Sequence, residues 1–125
     1  MKVLVIDDDV DIRTIACLCL SRVGGMDVIE AASGGDGVRK AREEKPDVIL
    51  LDMMMPTMDG LETLAALLSQ PATARTPVIF LTAKVVGCDV ERLTALGAAG
   101  VLIKPFDPRT LSDDVRHLVK STINC

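Results

Sequence analysis

Val3-Leu4-Val5-Ile6-Asp7-Asp8-Asp9 decides how this chain is read, because an apolar run rich in β-branched residues passes without alternation into three consecutive carboxylates. A short run that does not alternate with polar residues is the pattern of a strand covered on both faces. Val48-Ile49-Leu50-Leu51, Val78-Ile79-Phe80-Leu81 and Val101-Leu102-Ile103 read the same way, whereas the more mixed Asp27 to Ala31 reads as an edge strand. The four buried runs end on residues with phosphate or metal chemistry: Asp7 and Asp8, then Asp52, then Thr82, then Lys104. In an open parallel α/β sheet ligands bind outside the carboxyl ends of the strands, so these side chains are expected to converge.

Segments with helical period separate the runs. The clearest carries Ile12, Ile15, Ala16, Cys19, Leu20 and Val23 on one face. Others carry Leu61, Leu64, Leu67 and Leu68, then Val90, Leu93 and Leu96, and last Leu111, Val115 and Leu118. Gly35 to Glu44 is weaker, with Val38 and Ala41 as its apolar stripe. Gly24-Gly25 and Gly97 serve as helix stops, and Pro46 and Pro77 block continuation just before strands. A β-α unit repeated five times calls for a parallel sheet with right-handed crossovers and helices on both faces, a three-layer α/β sandwich.

At 125 residues the chain has room for one core, so residues 1–125 are expected to form a single domain. No apolar stretch approaches the ~18 residues of a membrane span, and Met1-Lys2-Val3 runs straight into a strand, which predicts a cytoplasmic protein with no membrane contact. A net charge of −4 argues against this domain holding nucleic acid directly. Cys17, Cys19, Cys88 and Cys125 lack the paired spacing of a zinc site and are expected to be reduced thiols. With no Trp or Tyr and only Phe80 and Phe106, stacking on bases is not expected.

Consecutive acids at a strand end repel one another, and a divalent cation relieves that repulsion. Ligation by oxygen alone suits Mg²⁺. The plainer reading makes Asp7 to Asp9 solvated loop acids, with Asp9 or Asp11 capping the next helix. If the first and third strands are neighbours, Asp52 faces Asp7 and Asp8, and a carboxylate there can attack phosphorus; alone, it is equally a strand-end acid facing water. Lys104 could pair with Asp52 at rest and with phosphoryl oxygens afterwards, or simply snorkel at the surface. Lys104-Pro105 is a candidate cis peptide, although only about 5% of X-Pro bonds are cis. Thr82, followed by the small Ala83, offers a hydroxyl where little bulk blocks approach; alone, it is an ordinary strand threonine.

Taken together, Ile6-Asp7-Asp8-Asp9, Leu51-Asp52-Met53-Met54-Met55-Pro56-x-Met58-Asp59-Gly60, Leu81-Thr82-Ala83 and Lys104-Pro105-Phe106 resemble the signature of response-regulator receiver domains across nearly the whole chain. The resemblance implies a flavodoxin-like fold with strand order 2-1-3-4-5. It further implies Asp52 as phospho-acceptor, Asp8 as a direct Mg²⁺ ligand, Asp7 as a ligand acting largely through water, and the Met54 backbone carbonyl as another ligand, with Mn²⁺ as a substitute cation. Thr82, Ala83 and Lys104 would bind the phosphoryl group. The implied donor is the phosphohistidine of a sensor histidine kinase or phosphotransfer protein, or a small acyl phosphate in vitro. A downstream effector would read the region of the fourth helix, fifth strand and fifth helix. Arg92, Arg109, Arg116 and Lys120 there would bias it toward acidic partners, beside the plainer reading of a solvated face. Homodimerisation is left open. Such a domain would assist only its own phosphorylation and dephosphorylation, with Met54 and Lys84 setting the lifetime of the acyl phosphate.

One departure stands out: Val101 occupies the position that is commonly an aromatic in the family, which puts aromatic gating in doubt and shifts the expected coupling to the fourth helix. Two other readings compete. An aspartyl-phosphate hydrolase of the best-known kind needs a second acid two residues after its nucleophile, and Asp52-Met53-Met54 has none. A flavodoxin-like nucleotide- or flavin-binding domain wants glycine in the first loop, which here is acidic; Gly34-Gly35-x-Gly37 follows the second strand instead.

Overall fold

Strands β1 (Lys2–Ile6), β2 (Asp27–Ala31), β3 (Val48–Asp52), β4 (Val78–Thr82) and β5 (Gly100–Ile103) form one parallel sheet of order β2-β1-β3-β4-β5. The computed structural model describes residues 1–83 and 87–123, with side chains for 1–83 and 90–120. Between the strands run α1 (Val10–Leu18), α2 (Gly34–Glu44), α3 (Gly60–Leu68) and α4 (Gly87–Ala95), and α5 (Leu111–Ile123) follows the last. The order and the five-fold β-α alternation are those expected.

Alternate strand residues feed two separate cores, which is why the strand runs carry no polar face. Leu4, Ile6, Ile49, Leu51, Val78 and Phe80 pack with Val38 and Ala41 of α2 and Leu64 and Leu67 of α3. Val3, Val5, Val48, Leu50 and Ile79 pack with Ala16 of α1 and Leu111, Val115 and Val119 of α5. Asp9, Ser33 and Asp59 cap α1, α2 and α3 through their side-chain oxygens, and Glu62 completes a capping box with Asp59.

Several expectations fail, and Leu68, Val90 and Leu96 of the expected helical stripes are exposed. β5 is not covered on both faces: Val101 and Leu102 are half-buried and Ile103 is 57% exposed. As the sheet edge beside β4 alone, it has fewer neighbours on either face than the centre. The stripe of the first helix also breaks, since Ile15 and Val23 are exposed. After Leu18 the helix widens into a π-turn over Cys19–Val23, closed by the Gly24 amide donating to the Cys19 carbonyl at 3.2 Å. That wider turn rotates the residues beyond it relative to an ideal stripe. No helix among the described residues is long and apolar enough to cross a membrane.

Candidate functional site

Sheet register gathers the strand ends. Ile6 lies opposite Leu51, Asp52 opposite Leu81 and Thr82 opposite Ile103, so the residues at and just beyond these positions share one rim. Asp7 and Asp52 are buried there while Asp8 is exposed, and one carboxylate oxygen from each of the three lies within 4.8 Å of the others. Lys104 closes the cluster from β5: its Nζ sits 2.9 Å from Asp7 Oδ2 and 3.3 Å from Asp52 Oδ1. It therefore bridges two acids, where the sequence led us to expect a pairing with Asp52. Thr82 is buried beside this rim, with its carbonyl accepting the Lys104 amide at 2.7 Å, and Ala83 follows it exposed. The Lys104-Pro105 bond is cis.

Electrostatics follow from crowding in a poorly solvated notch. Burial, and then the charge of Asp7, push the Asp52 carboxyl up to about 6, against the opposing pull of Lys104 and the Met54 amide. Burial works against the Lys104 ammonium, but its bonds to Asp7 and Asp52 outweigh that and hold its pKa above the ordinary value. Three acids with one shared ammonium remain short of positive charge, and an all-oxygen donor set of this spacing fits a hard divalent cation such as Mg²⁺.

The backbone holds the acids in place. The Met54 amide donates to Asp52 Oδ1 at 3.4 Å, and the Asp9 amide to Asp7 Oδ1 at 2.9 Å. A Cβ at Gly60 would lie 2.6 Å from the Asp52 carbonyl oxygen and 2.8 Å from Met53 Cα, so only glycine lets α3 begin this close to the end of β3. Two site neighbours escaped the sequence reading. Arg13 donates from Nη1 to the Asp7 carbonyl at 2.7 Å and from Nε to Glu30 at 3.0 Å. The one available signal was a cation one turn into the helix that follows the acidic loop.

Met54 leaves its side chain 76% exposed at the rim. Lys84 lies outside the described residues, as do the side chains of Cys88 and Cys125, while Cys17 and Cys19 are free. Val101 pairs with Phe80 and packs half-buried against the α2–α3 core. Of the cations expected to face a partner, Arg109 pairs with Asp107 and Arg116 donates to the Gly24 carbonyl.

A family model described as response regulator receiver domain matches residues 3–116. The chain belongs to that family. The receiver is 39% identical over 119 residues to the alkaline phosphatase synthesis transcriptional regulatory protein PhoP of Bacillus subtilis, covering 95% of this chain and 48% of that protein. It is 37% identical over 121 residues to protein PilG of Pseudomonas aeruginosa, covering 97% and 89%. Thus it spans about half the length of the PhoP relative but most of PilG. Among solved structures, the Vibrio cholerae chemotaxis protein CheY4 superposes with a TM-score of 0.87 at 35% identity, covering 94% of this chain and 97% of that one. The receiver domain of Francisella response regulator 1452 gives 0.85 at 33%, covering 97% and 98%. Phosphoryl acceptance within two-component signalling is typical of this family, which makes the chain a receiver of such signals and leaves the hydrolase and flavin readings without support. A histidine kinase or phosphotransfer partner follows from membership, and the three acids supply the acidic pocket at which receivers typically bind Mg²⁺.

Proposed function

We propose that Asp52 is the phospho-acceptor of this receiver, that residues 1–125 form one such domain working in the cytoplasm, and that the Asp7-Asp8-Asp52 cluster is its Mg²⁺ site. The observation that carries the reading is the convergence of three strand-end carboxylates with Lys104 bridging two of them. Asp8 and Asp52 would hold the cation directly and Asp7 largely through water, with the Met54 carbonyl as a further ligand. The cation would offset charge on the transferring phosphoryl group.

An Asp52 carboxylate oxygen attacks phosphorus, and the bond from phosphorus to the donor imidazole nitrogen breaks with its electron pair left on nitrogen. Lys104 turns from the acids to a phosphoryl oxygen, while the Thr82 hydroxyl and the Ala83 backbone contact the others. The product adds roughly 1.5 to 2 negative charges to the notch. New bonds to that charge draw Thr82 and its loop inward, and the change is read by an effector at α4, β5 and α5. With Val101 where an aromatic would gate, coupling runs through α4. The domain assists only its own phosphorylation and hydrolysis.

Incubation with acetyl phosphate, with and without Mg²⁺, followed by peptide mapping tests this. Label is expected on Asp52 only when metal is present, and none on Asp52→Asn. Steady release of product from varied phosphate esters, or saturable flavin binding without label, would overturn the proposal.

A further inference from the structure

We infer that Arg13 is a positioning residue for the metal-binding loop, an inference that rests on the reading of Asp7 and Asp8 as cation ligands. The loop needs a restraint, because Asp7, Asp8 and Asp9 are consecutive and their mutual repulsion favours spreading. Its backbone is fastened from the neighbouring strand at two adjacent positions. The Asp7 amide donates to the Ala31 carbonyl at 3.1 Å, and Arg13 links the Asp7 carbonyl, at 2.7 Å, to the carboxylate of Glu30, at 3.0 Å. Arg13 itself is set by the helix start that Asp9 caps, its amide donating to the Asp9 carbonyl at 3.0 Å. Its side chain is only 15% exposed, so the planar fork is held between two acceptors that point it one way. Asp7 therefore has its amide and its carbonyl both tied to β2, and the Asp7 and Asp8 carboxylates that flank this carbonyl inherit its orientation.

Position and charge make opposite demands here, which makes the inference testable. A guanidinium near the notch repels a divalent cation, so if Arg13 acted through its charge alone, removing it would tighten metal binding. If it acts by holding the Asp7 carbonyl, removing it weakens binding, by about tenfold for a typical orienting partner of a metal ligand.

The probe is Mn²⁺, titrated into the whole chain with free ion read by electron paramagnetic resonance and site occupancy by broadening of the Asp8 and Asp52 amide signals. Arg13→Gln is expected to weaken Mn²⁺ by about tenfold. Arg13→Lys keeps the charge without the fork and should recover part of the loss, and Glu30→Gln should weaken binding less than Arg13→Gln does. Thermal melting of each metal-free variant separates loop orientation from global loss of fold. If Arg13→Gln does not fold, Arg13→Lys and Glu30→Gln carry the same comparison. Equal or tighter Mn²⁺ binding by the variants overturns the inference and leaves the metal reading intact. No Mn²⁺ site in the unsubstituted chain overturns both.

Discussion

The centre of the sheet and its β5 edge carry near-identical sequence patterns and opposite mechanical roles. β3 and β4 are buried at every residue, with both faces covered, and β1 at all but its first. They hold Asp7 and Asp52 on a frame with little room to yield. β5 is half-exposed and ends in an open Ile103, yet it leads directly into Lys104, the group proposed to leave its acids for an arriving phosphoryl oxygen. Acids sit on the fixed part of the fold and the responding cation on the looser part.

Leucines on one face provide the sharpest test of that contrast. Leu50 of β3 and Leu102 of β5 both face the core made with α1 and α5, but Leu50 is 1% exposed and Leu102 only half-buried. Leu50→Ala should cost about 3 kcal/mol or more, as in a closed core that cannot collapse, and Leu102→Ala about 1 kcal/mol, in urea unfolding. Equal losses would break the comparison. A Cβ at Gly60 should cost about 2 kcal/mol by pushing α3 off the end of β3, and should lower Mg²⁺-dependent labelling because the contact is with the Asp52 carbonyl itself.

Much of this was legible from sequence, for a physical reason. Strands covered on both faces lose the two-residue period, so β1, β3 and β4 announce themselves, and their last residues mark the rim. What the sequence hid depends on which elements become neighbours. Val101 to Ile103 looks like a central strand, and only the strand order makes it an edge. Ile15 and Val23 fit an ideal helical stripe yet are both exposed, and the π-turn at Cys19–Val23 accounts for Val23 alone, since Ile15 precedes it. Arg13 and Glu30 meet because α1 folds back across β1 and β2, a pairing that no local spacing encodes. Lys104 was placed at the site, but its shorter bond to Asp7 follows from a register set by four strands.

A fixed acidic centre should also show itself in pH dependence. The folded Asp52 carboxyl titrates at about 6, above its ordinary 3.8, so the folded chain holds this proton more tightly than the unfolded chain does. Its contribution to stability is then fully present below pH 3.8 and is lost as pH rises through about 6. Without metal, the melting temperature should fall between pH 5 and pH 7.5, by more in the parent than in Asp52→Asn, and Mg²⁺ should reverse the fall in the parent. Matching slopes in the two proteins would mean that the centre relaxes to solvate its acids.

The smallest effect probes the loop that leaves the centre. Thr57, between β3 and α3, takes a left-handed backbone conformation with φ of 67°, which a β-branched residue adopts only at a cost. Its neighbours Met55 and Gly60 are buried, and the Gly60 amide donates to the Met53 carbonyl at 3.0 Å, so the two ends of the loop are tied together just beyond β3. Thr57→Gly removes the steric cost but adds freedom to the unfolded chain, leaving a net gain of about 0.5 to 1 kcal/mol in urea unfolding. If the centre dictates the loop, the gain comes with unchanged Mn²⁺ affinity and unchanged labelling of Asp52. If the threonine itself shapes the loop, stability rises while labelling falls, and the fixed frame would have to be redrawn to stop at the end of β3.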